Sequence, residues 1–286
     1  EKQEGILHEN EAAEILYRIS ADIHMHGSDI KEGKIELIAD CDGVLKIRRD
    51  ALLAVNSLGE MMIASRHGDF PVKKGDKIAG TRIIPLVIEK TKMDKAEKVA
   101  GTKPIFSILP YRSKKVGIIT TGSEVQKGLI KDTFTPVLKE KLDEFSCQIL
   151  GQTLPGDERS QITSDILSFI DQGADMVICS GGMSVDPDDR TPGAIKDTGA
   201  EIVTYGAPVL PGAMLLLSYY QNNDKIIPIL GLPGCVMYAR RTVFDLILPR
   251  IMADDRICAD EIASYGEGGL CLNCDVCTFP NCGFGK

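Results

Sequence analysis

From residue 115 onward the sequence alternates short, almost wholly apolar runs with amphipathic ones, and few folds accept that rhythm. The runs at 115–120, 148–153, 175–179, 201–205, 213–219 and 225–230 have the length and composition of buried strands. Between them, apolar residues recur at helical spacing in 133–145 (Val137, Leu138, Leu142, Phe145) and 157–170 (Ile162, Ile166, Leu167, Ile170). A short helix is expected at 191–197 and a long one at 235–252, carrying Val236, Val243, Leu246 and Ile247. Strands apolar on both faces must be covered on both, which predicts an α/β fold with a mostly parallel sheet between helices. A hairpin turning at Gln221-Asn222-Asn223-Asp224 predicts one antiparallel pairing in that sheet.

Upstream of the turn Leu109-Pro110-Tyr111-Arg112 the pattern changes. One helical segment at 11–19 is followed by short strand-like runs at 34–38, 44–47, 61–65, 77–79 and 82–88. Gly33, Asp42-Gly43, Gly68-Asp69 and Gly75-Asp76 punctuate them as turns. The expected organisation is a smaller, mostly-β accessory domain over 1–110 with one or two helices, an α/β domain over 111–256, and a cysteine-rich tail over 257–286.

Composition excludes several classes of function. With 43% hydrophobic and 26% charged residues, the chain does not fit the disordered signature. Thirty-three basic against 41 acidic side chains leave a net charge of −8, which argues against tracking a nucleic-acid backbone. No apolar run approaches the length of a membrane span, so no membrane association is expected. There is no basic, apolar leader, which predicts a cytoplasmic protein, and the start at Glu1 rather than Met predicts a natural N-terminal region ahead of it.

In a parallel sheet, ligands bind beyond the carboxyl ends of the strands. Four loops have that address: Thr120-Thr121-Gly122-Ser123-Glu124, Leu154-Pro155-Gly156-Asp157-Glu158, Ser180-Gly181-Gly182-Met183-Ser184 running on to Asp188, Asp189, Arg190, Thr191 and Pro192, and Gly231-Leu232-Pro233-Gly234. Glycines let backbone N–H groups approach a ligand, and a helix start adds positive potential, so the third and fourth loops suit a phosphate. Hydroxyls at Thr120, Thr121, Ser123 and Ser184 add donors. Carboxylates at Glu124, Asp157, Asp188 and Asp189 would repel a bare phosphate, which points to Mg²⁺ between them. The competing reading is that each loop is an ordinary turn or helix cap.

Residues 115–252 resemble the molybdopterin-binding domain shared by molybdopterin adenylyltransferases and molybdopterin molybdenumtransferases. The resemblance rests on Val116–Glu124 (VGIITTGSE), Asp132-Thr133, Ser180-Gly181-Gly182 followed by Asp189, Thr191 and Pro192, and Gly231-Leu232-Pro233-Gly234. It implies a three-layer α/β fold that binds molybdopterin, as phosphate or adenylate, at Thr120, Thr121, Gly122, Ser123, Asp132, Ser180, Gly181, Gly182, Ser184, Thr191, Gly231, Pro233 and Gly234. It implies Mg²⁺ as well, catalytic carboxylates at Asp189, Glu124 and Asp157, and a homo-oligomer. The departures are specific. Where molybdenum-inserting members have Lys-Pro-Gly-Lys, this chain has Leu210-Pro211-Gly212-Ala213, and Cys235 and Phe134 stand where Asn is expected. Two functions follow as expectations: a transferase of molybdenum cofactor biosynthesis, or a non-catalytic molybdopterin carrier or sensor.

Four of the nine cysteines, Cys271, Cys274, Cys277 and Cys282, fall within twelve residues as C-x₂-C-x₂-C-x₄-C. Thiolates at that density read as a metal site, and both an iron–sulfur cluster and Zn²⁺ remain open. The tail lies outside the resemblance, which favours a redox-linked, sensory or docking role. His24 and His26 read as surface or core filler, 90–98 as a solvated helix face, and Met61-Met62 as core.

Overall fold

The structure, a computed structural model, describes residues 4–129, 131–183 and 190–286. It divides into two compact units, Glu1–Tyr111 and Arg112–Lys286.

The first unit runs β1 (Ile6–His8), α1 (Glu9–Ser20), β2 (Met25–Gly27), β3 (Lys34–Ala39), β4 (Gly43–Ile47), α2 (Arg49–Asn56), β5 (Met61–Ser65), β6 (Phe70–Val72), β7 (Lys77–Ile83), β8 (Val87–Glu89), α3 (Lys90–Ala100) and β9 (Phe106–Pro110). Sheets of order β2-β3-β7-β5, β6-β4-β9 and β1-β8 share a core with the helices. The region is strand-rich as expected, but α2 was not anticipated from the sequence. Its eight residues bury only Ala51 and Val55, too short a stripe to register as a helical period. The 90–98 segment is more than a solvated face, since α3 buries Met93, Ala96 and Ala100. Met61 is core while Met62 points outward, as strand alternation requires.

The second unit runs β10 (Lys115–Thr121), α4 (Ser123–Gln126), α5 (Phe134–Asp143), β11 (Gln148–Gly156), α6 (Arg159–Asp171), β12 (Met176–Ser180), α7 (Thr191–Asp197), β13 (Glu201–Tyr205), β14 (Leu216–Asn222), β15 (Lys225–Leu232), a 3₁₀ turn (Gly234–Met237), α8 (Val243–Met252) and α9 (Ala259–Ser264). Its strands order as β11-β10-β12-β15-β14-β13. The pairs β11–β10, β10–β12 and β12–β15 are parallel, while β15–β14 and β14–β13 are antiparallel. The α/β fold with a mostly parallel core is thus observed, with two antiparallel pairings where the sequence predicts one.

Alternation along β10 divides its side chains between two buried faces. Ile119 joins Val177, Cys179, Ile227 and Ile229 against Ile162, Ile166, Phe169 and Ile170 of α6. Ile118, Met176, Ile178 and Leu230 fall outside that cluster and are equally buried. Gly117 is what lets α6 come so close: a Cβ there would sit 2.4 Å from the Phe169 ring.

The long helix expected at 235–252 is not one helix. Gly234–Met237 forms a single 3₁₀ turn, and α8 starts only at Val243. Thr242 and Asp245 make a capping box, in which Thr242 Oγ1 accepts from Phe244 N at 3.2 Å and Asp245 Oδ2 accepts from Thr242 N at 2.8 Å. That reciprocal cap fixes a new helix start in the middle of the expected one. Likewise the strand expected from 213 begins at Leu216, after a turn in which Leu215 N donates to Gly212 O at 3.2 Å.

Candidate functional site

The carboxyl ends of β10, β11, β12 and β15 bring together most of the loops singled out in the sequence. Thr120 and Thr121 are adjacent and buried, and strand alternation sends their hydroxyls to opposite faces. Thr121 Oγ1 donates to Ser180 O at 3.2 Å and lies 3.3 Å from Thr191 Oγ1, at the start of α7. Thr191 Oγ1 in turn donates to Gly181 O at 2.9 Å. On the other face, Thr120 Oγ1 lies 3.4 Å from Thr135 Oγ1 of α5 and 3.4 Å from Ser180 Oγ.

The glycines of the third loop are demanded by the backbone. Gly181 sits at φ +83, where an added Cβ would stand 2.6 Å from the Thr121 carbonyl oxygen. Gly182, at φ +56, would meet Thr191 Oγ1 at 2.8 Å. Side chains rarely tolerate that region, and here there is no space either. In the fourth loop, Gly231 carries Met183 so close that a Cβ would lie 2.6 Å from its sulfur. Gly234 is exposed, and a Cβ there would meet nothing within 4 Å. Since only one 3₁₀ turn follows Gly234, no long helix aims a dipole at this loop, which corrects that part of the phosphate argument for Gly231, Pro233 and Gly234.

Asp157 reaches across from the end of β11 and accepts from Ser123 N at 2.9 Å and from Ser123 Oγ. This ties the second loop to the first, at Gly122 and Ser123, beside the exposed Glu124 of α4. Asp132 is placed as a helix cap. Its Oδ1 accepts from Phe134 N at 2.9 Å and Thr135 N at 3.1 Å, and its Oδ2 accepts from Gln152 Nε2 at 2.6 Å. Burial pushes this carboxyl up, but the bonds from Thr135, Gln152 and Phe134 outweigh it and bring the pKa below its ordinary 3.8. Burial pushes the Cys235 thiol up, so the residue standing where Asn is expected is a neutral thiol. Ser184 and Asp189 lie outside the described residues, as does Asp188.

Sequence reasoning missed Gln152 and Thr135. Gln152 Nε2 lies 2.6 Å from both Asp132 Oδ2 and Thr135 Oγ1 and 3.2 Å from Thr120 Oγ1, its two N–H groups linking β11, β10 and α5. The available signal was weak, a second Gln beside Thr153 in the run QILGQT.

The cysteine tail is built into the second unit. Leu210 N donates to Gly269 O at 2.8 Å, and Cys271 N donates to Leu210 O at 2.8 Å. Gly269 permits that docking, for a Cβ there would lie 2.3 Å from Pro208 O, while one at Gly268 would meet Lys286 O at 2.0 Å inside the tail. Residues 210–213 lead into β14, whose Leu216 pairs with Gly231. The tail therefore sits at the same end of the sheet as the glycine loops, against the segment where the resemblance expects two lysines. All four of its cysteines line one cavity of about 250 Å³ with Arg240 and Arg241. Among the described residues, no three His, Cys, Asp or Glu side chains converge closely enough to form a metal-holding group.

Comparison with known proteins bears on this arrangement. Residues 117–253 match the family described as a probable molybdopterin binding domain. The molybdopterin molybdenumtransferase of Haemophilus influenzae is 27% identical over 236 residues, which are 79% of this chain and 54% of that protein. Its counterpart from Synechococcus elongatus is 25% identical over 193 residues, 65% of this chain and 44% of that protein. The chain thus spans about half the length of the curated relatives it matches. Among solved structures, a tungsten cofactor synthesizing protein, MoaB from Pyrococcus furiosus, aligns over 51% of this chain and 99% of its own with a TM-score of 0.42 and 17% identity.

Proposed function

Because residues 117–253 of the chain belong to the molybdopterin-binding domain family, we propose that the protein binds molybdopterin or its adenylate along the carboxyl ends of β10, β12 and β15. The observation that carries this reading is the Gly181-Gly182 turn, held at positive φ against Thr121 and Thr191. Backbone so closely packed presents its N–H groups without side-chain cover, which is what a phosphate needs. Thr120, Thr121, Ser123, Ser184 and Thr191 would add hydroxyls to the pterin or phosphate. Asp132, already committed to capping α5, would act by positioning that loop.

Glu124, Asp157 and Asp189 would together offer an all-carboxylate donor set, which suits a hard cation such as Mg²⁺. When bound, Mg²⁺ supplies charge neutralisation of the phosphate or pyrophosphate. Asp157 holds its place through Ser123, and Glu124 and Asp189, the latter outside the described residues, would complete the set. In this reading the protein is a transferase of molybdenum cofactor biosynthesis, acting as a homo-oligomer in the cytoplasm, and molybdenum insertion is the step proposed for it. No helix among the described residues is long and apolar enough to cross a membrane.

A specific observation favours a second reading. Leu210 and Ala213 replace both expected lysines, and Leu210 is instead paired with the cysteine tail. A carrier or sensor of molybdopterin, with a metal held by the tail thiols, fits that exchange of cations for thiols. Turnover of molybdopterin or its adenylate separates the two readings.

The site itself is tested by anaerobic calorimetry of molybdopterin and its adenylate, with and without Mg²⁺, on the wild type and Asp189→Ala. Binding that depends on Mg²⁺ and weakens by about tenfold or more in the variant is expected, the loss of one charge-assisted contact. Absence of binding to folded wild-type protein would overturn the assignment.

A further inference from the structure

We propose that Cys271, Cys274, Cys277 and Cys282 hold a four-iron, four-sulfide cluster rather than a single metal ion. The inference rests on the tail being a metal site and does not depend on the pterin reading. Its first support is spacing. A zinc ion about 2.3 Å from each sulfur draws four thiolates to within about 4 Å of one another. Here all four cysteines face one cavity of about 250 Å³. A cluster places its own iron and sulfide atoms between the thiolates, so its ligands surround a volume instead of meeting at a point.

Charge is the second support. Four thiolates around a cluster leave it anionic, and Arg240 and Arg241 line the same cavity. Arg240 is held there by the carbonyl oxygens of Asp275 at 2.7 Å and Cys274 at 3.5 Å, acceptors within the cysteine run itself. Arg241 lies with its guanidinium carbon 5.0 Å from the centre of the Phe279 ring. Its Nε is buried with no hydrogen-bond partner among the described residues. A buried donor left unmatched costs about 1–3 kcal/mol, and a cluster sulfide or thiolate would supply the acceptor.

The third support is the wall. Leu270, Leu272, Phe279 and Phe284 share the cavity lining, so apolar groups flank the thiols, with Phe284 buried and Leu270 and Leu272 open to solvent. The Phe284 ring lies 6.1 Å from that of Phe279, centre to centre. The C-x₂-C-x₂-C stretch matches the first three ligands of the close-set runs that hold such clusters, while Cys282 departs from them with an x₄ spacing and Pro280 before it, and a zinc ribbon separates its pairs more widely.

The test is anaerobic reconstitution of the full chain with ferrous iron and sulfide, followed by iron and acid-labile sulfide analysis, visible absorption and electron paramagnetic resonance after reduction. About four irons and four sulfides per chain are expected. Serine at any one of Cys271, Cys274, Cys277 or Cys282 should remove more than half of the iron. Cys41→Ser and Cys258→Ser, at cysteines outside the cavity, should retain it, with circular dichroism confirming that every variant is folded. One tightly bound zinc with no iron would overturn the cluster while leaving a metal site at the tail. No metal bound by folded protein would overturn both, as would equal loss of iron in the Cys41 and Cys258 variants.

Discussion

At the amino ends of the parallel strands, a cavity of about 790 Å³ is lined by Arg112, Lys114, Asp175, Lys225, Asp254 and Arg256. Most of those charges are spent on one another, and Arg256 pairs with Glu201 at 2.9 Å. Lys114 and Arg112 both pair with Asp254, and Lys225 pairs with Asp175 at 2.5 Å. At the carboxyl ends, strand termini carry hydroxyls and glycines, and the hydrogen bonds run between loops. The larger cavity is thus the chemically quieter one. In the proposed reading, what marks the binding edge is backbone packed too closely to carry side chains, and volume alone does not do that.

The most severe way to break this contrast is Gly181→Ala. The residue would have to occupy φ +83 with its Cβ 2.6 Å from the Thr121 carbonyl oxygen. The left-handed conformation alone costs about 1–2 kcal/mol, and the contact forces the loop to move. Ligand affinity is expected to fall by more than about tenfold while far-ultraviolet dichroism is retained. Calorimetry showing unchanged affinity would mean that the turn does not contact the ligand.

How far the sequence revealed this edge depended on the range of each interaction. The β10 loop and the Gly181-Gly182 turn were legible because a strand's apolar run and its terminal glycines are local signals. The break in the segment 235–252 was also written locally, in Thr242 and Asp245, but the uninterrupted apolar spacing of Val236, Val243, Leu246 and Ile247 masked it. Gln152 could not be identified as the link between Asp132, Thr120 and Thr135, since its partners lie 17 to 32 residues away and on different elements. Docking of the tail on Leu210 was likewise invisible. It is made of backbone bonds between segments some 60 residues apart, for which side-chain identity gives no sign beyond Gly269.

Asp132→Asn sharpens the contrast at lower cost, because it perturbs the edge through a helix cap. Loss of the capping charge is expected to destabilise the second unit by about 1 kcal/mol at neutral pH. The sign of the pH dependence follows from the depressed pKa of Asp132. A carboxyl whose pKa is lower in the folded state contributes stability above its unfolded value, near 3.8, and loses it as pH falls through the folded value. Wild type and variant should therefore differ in urea midpoint at pH 7 and converge below about pH 4. A constant difference across that range would show that the asparagine acts through packing instead of charge.

The smallest effect belongs to the opposite end. Lys225→Ala removes an ion pair with Asp175 and a 3.2 Å bond to Ala174 O, both at a half-exposed side chain. Burial pushes the Asp175 carboxyl up, but Lys225 and the Lys115 amide more than offset that and hold its pKa below the ordinary value. Since Lys115 N still donates to Asp175 Oδ2 at 2.7 Å, the carboxylate keeps a partner when the lysine is gone. A loss of about 0.5 kcal/mol in stability is expected, with pterin affinity unchanged. If that variant instead lost affinity as Gly181→Ala should, ligand binding would belong to the charged cavity and the assignment of the two ends would have to be reversed.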